Sequence, residues 1–249
     1  MHIASGEPAN VSEIPERIHS VHRRVQKAAH RCGRDPDSIT LIAVCKTVGT
    51  ERIRSALEQG IVDLAENRIQ EAEPKISELG SDPVWHFVGH LQSNKAARAA
   101  QLFDWIHSVD SVSLGARLDR AAQKLDRRLQ ILMQVNLSGE SSKSGVREED
   151  VGRVAIELAQ LRTVRLRGLM TIPAFTTNSE KARQSFVRLR ELRDTINRSA
   201  SLDPPLEVLS MGMTNDFEVA IEEGATHIRL GRALFGERPA PQPSQQEPG

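Results

Sequence analysis

The sequence predicts an α/β chain folded as one (β/α)₈ TIM barrel with an extra N-terminal helix. Its 249 residues match the usual length of one such barrel, about 250. From residue 40 onward, short β-branched runs alternate with helical patterns, giving about eight strands. No G-x-G-x-x-G or G-x-x-x-x-G-K-[ST] loop follows the first strand, which counts against the runner-up, an open doubly wound sheet.

Taken in order, residues 1–11 read as a disordered N-terminus. Residues 12–32 carry Ile14, Ile18, Val21, Val25, Ala28 and Cys32 at helical spacing, with Gly33 as the stop. The basic face of this helix is interrupted by Glu13 and Glu16, which suits a packed, solvated helix better than a transit peptide. The barrel domain is expected over 12–236, with strands at 40–46, 61–66, 84–89, 105–109, 129–137, 166–172, 206–211 and 226–230. The helical patterns between them include Ile53, Ala56 and Leu57 ending at Gly60, Val151, Val154 and Leu158, and Phe217, Ala220 and Ile221 ending at Gly224. Residues 237–249 hold four prolines and no apolar periodicity and read as a disordered tail.

Composition excludes several functions. Lys plus Arg and Asp plus Glu are 33 each, so nothing in the charge recruits nucleic acid or an acidic membrane surface. No run approaches the ~20 apolar residues of a membrane span. The first residues lack the basic-then-apolar order of a secretory leader, and two cysteines, Cys32 and Cys45, make no disulfide framework. A reducing cytoplasm is the expected home. Tyrosine is absent.

The strand ends carry the chemistry. Lys46 follows the run Ile39 to Cys45, at the carboxyl end of the first strand, where barrels keep their active sites. Period-two alternation puts Ile42, Val44 and Lys46 on one face and turns Cys45 toward the helices as packing. Burial favours the neutral amine, which can form a Schiff base with an aldehyde. Later strands end in Glu66-Asn67, Gly89-His90, Asn136, Ser210-Met211-Gly212 and Arg229 to Arg232. The last two lead into glycines and helix starts, the usual phosphate site of a barrel. His86 and His90 are four apart but on and after a strand, with no third ligand near, so no metal is expected. Loop 138–145 reads as a flexible linker in preference to a lid. An amine and a phosphate cradle at one mouth suggest a phosphorylated aldehyde, either pyridoxal 5′-phosphate or the sugar phosphate of a lysine aldolase.

The runs 43–47 (Ala-Val-Cys-Lys-Thr), 65–71, 85–95 (Trp-His-Phe-Val-Gly-His-Leu-Gln-Ser-Asn-Lys), 106–110, 134–145, 168–173, 209–216 and 228–236 together resemble the pyridoxal phosphate homeostasis protein family, over roughly residues 12–238. The resemblance implies a barrel related to the N-terminal domain of alanine racemase, with pyridoxal phosphate on Lys46. It implies that Asn67 and His90 line the cofactor, that Ser210, Met211, Gly231 and Arg232 bind its phosphate, and that Arg229 faces the pyridine nitrogen. Implied partners are the cofactor and apo-enzymes that use it, in a monomer or weak dimer. Four positions depart from the family pattern: Arg68 for tyrosine, Cys45 for serine, Thr214-Asn215 for a Ser-Asp pair, and Arg232 for a small hydroxyl residue. An arginine at the ring nitrogen opposes its protonation and weakens carbanion chemistry. With no tyrosine base and no second domain, a homeostatic binder is expected. A one-base racemase using Lys46 is the alternative.

Overall fold

The computed structural model describes residues 10–137, 144–174, 176, 178–200 and 202–237. Its strands are β1 (Thr40–Val44), β2 (Asp63–Glu66), β3 (Val84–Phe87), β4 (Trp105–Val109), β5 (Leu129–Asn136), β6 (Val146–Arg147), β7 (Val164–Met170), β8 (Val208–Ser210) and β9 (His227–Leu230). The pairing order is β4-β3-β2-β1-β9-β8-β7-β5, and β4 pairs with β5, so the parallel sheet closes on itself. The two-residue β6 pairs with Val135 and Asn136 at the carboxyl end of β5. All eight expected strands are present, mostly shorter than the sequence runs. β1 stops at Val44, for example, because the chain turns at Lys46 and Thr47.

The helices are α1 (Ile14–Arg31), α2 (Thr50–Glu58), α3 (Ile69–Leu79), α4 (Ala96–Leu102), α5 (Val112–Lys124), α6 (Val151–Ala159), α7 (Ser179–Ser199), α8 (Phe217–Glu222) and α9 (Arg232–Phe235). α1 is the extra helix. It buries Ile14, Ile18, Val21, Val25, Ala28 and Ala29 against α8, α9 and α2. Gly33, at φ 67°, ends it in a conformation that costs glycine little. Ion pairs Arg24–Glu218 (2.6 Å) and Arg31–Glu222 (2.6 Å) pin its solvent edge to α8.

The segment expected to be disordered at 1–11 lies outside the described residues except for Asn10 and Val11. Val11 belongs to a 3₁₀ turn, Val11–Glu13. Of the expected tail, only Glu237 is described, and of loop 138–145 only Ser144 and Gly145. No helix among the described residues is long and apolar enough to cross a membrane.

The main core lies between strands and helices. Ala43, Cys45, Leu64, Ile106, Ile131 and Leu209 point outward into it. Burial pushes the Cys45 thiol far up, so it is an inert packing group, as its alternation predicts.

Candidate functional site

Lys46 is held at the mouth by a braced turn. The Cys45 amide donates to the Ala65 carbonyl (2.8 Å). The Cys45 carbonyl accepts from the Val48 amide (2.9 Å) and from Lys75 Nζ (2.7 Å). Lys75 also pairs with Glu66 at 2.5 Å. Glu66 is fully buried on the outer side of β2, and burial raises its carboxyl above the usual range although Lys75 pulls it down. This glutamate at a strand end therefore braces the turn from behind and does not face the mouth. Thr47 sits at φ 63°, a conformation that costs a β-branched residue about 1–3 kcal/mol and collects at functional sites.

A cavity of about 400 Å³ opens at this mouth, within the size range of small-molecule sites. Five of the eight predicted site residues line it: Lys46, Asn67, Arg229, Gly231 and Arg232. Asn67 Oδ1 is buried there without a hydrogen-bond partner, a costly state unless a ligand satisfies it. Glycine at 89 is what lets the Asn67 backbone come this close to β3, since a Cβ there would lie 2.1 Å from the Asn67 carbonyl oxygen. Arg229 is almost fully buried, in register with Ile42 of β1. Its Nη1 donates to Ser210 Oγ (2.6 Å) and its Nη2 to the Thr171 carbonyl (2.9 Å). Burial lowers the guanidinium to about 10, opposed by the charge of Asp216. That value still leaves it a cation at neutral pH.

Arg232 stands half-exposed at the rim, 3.5 Å from Asn215 Oδ1 and 3.4 Å from Glu237 Oε1. The Thr214 hydroxyl accepts from the Ala233 amide (3.3 Å), tying the loop after β8 to the start of α9. Asp216, which the sequence reading left out of the site, lines the cavity and accepts from the Met213 amide (2.6 Å), with burial raising its carboxyl. Gly212 permits this tight loop, since at φ 93° a Cβ would sit 2.6 Å from Ala220 Cβ.

The other three expected residues lie elsewhere. Ser210 is fully buried, and its Oγ is spent on Arg229 and on His107 Nδ1 (2.9 Å) inside the barrel. Met211 points into the outer core, and its amide donates to the His227 carbonyl (3.1 Å). Neither lines the cavity. Both follow from alternation: Val208 and Ser210 turn inward, so Met211 turns outward. His90 lines a neighbouring cavity of about 330 Å³ that shares Asn67, Val88 and Ile172 with the first. Its Nδ1 is 3.1 Å from Ser144 Oγ and 3.8 Å from Asp110. His86 turns into the barrel away from His90, and no cluster of three metal-ligating side chains occurs among the described residues. Arg68 is exposed beside Glu71 at 3.8 Å.

Residues 18–239 match the family described as alanine racemase, N-terminal domain. The chain is 44% identical over 229 residues to a pyridoxal phosphate homeostasis protein of Pseudomonas aeruginosa, covering 92% of this chain and 97% of the relative. It is 39% identical over 232 residues to the protein of the same name from Escherichia coli K12, covering 92% and 98%. Among solved structures, PipY of Synechococcus elongatus PCC7942 with PLP bound superposes with a TM-score of 0.79 at 38% identity, covering 90% of this chain and all of that one (100%).

Proposed function

Since this chain belongs to the pyridoxal phosphate homeostasis protein family, we propose that it binds pyridoxal 5′-phosphate as a Schiff base on Lys46 and serves cytoplasmic homeostasis of that cofactor without efficient catalysis. One observation carries the reading. Lys46, Asn67 and Arg229 line one cavity of small-molecule size, and Asn67 Oδ1 is buried without a hydrogen-bond partner. The residues present suit the group. Lys46 would supply the amine, Asn67 a buried acceptor, and Gly231, Arg232, Thr214 and Asn215 a polar, cationic rim for the phosphate. When bound, the cofactor supplies an aldehyde carbon and an electron-withdrawing ring.

The chain's own groups argue against fast turnover. Arg229 is a buried cation that would oppose a second positive charge on the ring nitrogen. Asp216, the carboxylate in the cavity wall, is engaged by the Met213 amide. No tyrosine exists in the chain to act as a base.

The experiment is a titration of the purified protein with pyridoxal 5′-phosphate, followed by absorbance. The loaded protein is then incubated with a panel of L-amino acids in deuterated water. Saturable binding with turnover well below about 1 s⁻¹ on every amino acid is expected. A colourless protein would refute the binding. Turnover at ordinary enzymatic speed would make this a one-base racemase using Lys46.

A further inference from the structure

The middle of this barrel is polar, where branched aliphatic side chains usually fill the space. His86, Trp105, His107 and His227 meet there, with His86 stacked on Trp105 at 5.7 Å between ring centroids and an interplanar angle of 14°. Burying such groups is costly unless they are hydrogen-bonded, and here two of them, His86 and His107, belong to one continuous string of five side chains. Arg229 Nη1 lies 2.6 Å from Ser210 Oγ, and Ser210 Oγ lies 2.9 Å from His107 Nδ1. His107 Nε2 is 2.9 Å from His86 Nδ1, and His86 Nε2 is 2.9 Å from Asp63 Oδ1. The string runs from β9 to β8, crosses the barrel to β4, and continues through β3 to the first residue of β2. Of its five side chains, only Arg229 lines the cavity.

The two ends determine its direction. A guanidinium can only donate and a carboxylate can only accept. Asp63 therefore takes the proton of His86 Nε2, which leaves His86 Nδ1 to accept from His107 Nε2–H. His107 Nδ1 then accepts from the Ser210 hydroxyl, whose lone pair takes Arg229. With both imidazoles neutral, each link is satisfied in this one orientation. Burial and the neighbouring histidines hold His107 well below its ordinary value, which keeps it neutral.

We infer that Ser210, His107, His86 and Asp63 are positioning residues for Arg229, a directed string that holds its guanidinium oriented in the wall of the cofactor cavity. The string and the Thr171 carbonyl each fix one Nη of the fork, so the guanidinium meets a ligand already ordered. This inference rests on the cofactor reading above for what Arg229 meets, but the string itself is a property of the ligand-free protein.

Two measurements separate the two. In the ligand-free protein labelled with ¹⁵N-histidine, NMR is expected to find His86 and His107 as Nε2–H tautomers. Asp63→Asn, whose new amide can donate as well as accept, should leave His107 in a mixture of tautomers two links away. A structural role for Asp63 alone would not move that signal. Pyridoxal 5′-phosphate titrations should then show affinity reduced about tenfold in Ser210→Ala and about threefold in Asp63→Asn. In both variants the pH at which the bound chromophore's spectrum changes should shift. His107 as the Nδ1–H tautomer, or wild-type affinity and spectrum in both variants, overturns the inference. A wild-type protein that binds no cofactor refutes the cofactor reading. If the tautomers are nonetheless as expected, the string exists but orders Arg229 for no such ligand, and the positioning role falls.

Discussion

The outward and inward faces of the same strands differ in kind. On β1 and just after it, Ala43 and Cys45 face outward into an aliphatic layer, while Ile42 and Val44 face inward below Lys46. On β4, Ile106 faces outward, while Trp105 and His107 face inward among other rings. The outward face is nearly uniform, its main polar exception being the Glu66–Lys75 pair that braces the lysine turn. The inward face carries the histidine string and lines the cavity. Stability is thus concentrated on one side of each strand and ligand chemistry on the other. Alternation lets a four-residue strand serve both.

The largest test of that division is on the outward side. Leu64→Ala removes a fully buried side chain from the outer core and should cost about 2–5 kcal/mol in urea unfolding. Cofactor affinity should not change under conditions where the variant stays folded. A parallel loss of affinity would show that the two faces are coupled.

The inward face should make the protein sensitive to acid. Burial lowers His227 to about 4 and holds His107 well below the ordinary histidine value, whereas the unfolded chain protonates its histidines near about 6.5. Their contribution to stability is therefore full above about 6.5 and is lost as pH falls toward about 4. For His227 alone the loss is at most about 3 kcal/mol, and less because part of that residue reaches water. Unfolding free energies measured across this window should fall more steeply in the wild type than in His227→Asn. Equal slopes would mean that the ring is not held neutral.

The rim should give the smallest effect. Arg232 is 43% exposed and already shares Glu237 and Asn215. Arg232→Ala should weaken pyridoxal 5′-phosphate binding by about fivefold, with a loss that shrinks at high salt. A hundredfold loss would move Arg232 from the rim into the heart of the site.

Much of this division was legible in the sequence. The strand runs were found because β-branched segments between glycine-marked turns are a local signal, and the same alternation placed Lys46 inward and Cys45 outward. The string of histidines was not found. A histidine in a strand looks the same whether it faces a helix or the barrel interior, and the spacing of His86 and His90 drew attention to metal ligation instead. Alternation applied to Val84, His86 and Val88 would have turned His86 inward. Applied to Val208 and Ser210, it would have moved the serine from the mouth to the interior. The bracing pair Glu66–Lys75 joins a strand end to the middle of α3, a contact that only the folded geometry brings together.

The most direct test of the central claim is to trap the ligand on the protein. Wild-type protein and Lys46→Ala are each incubated with pyridoxal 5′-phosphate, reduced with borohydride, digested and mapped by mass spectrometry. The account predicts a reduced pyridoxyl adduct on Lys46 in the wild type and no stoichiometric adduct in the variant. An adduct on another lysine in the wild type, or equal labelling of both proteins, would contradict it.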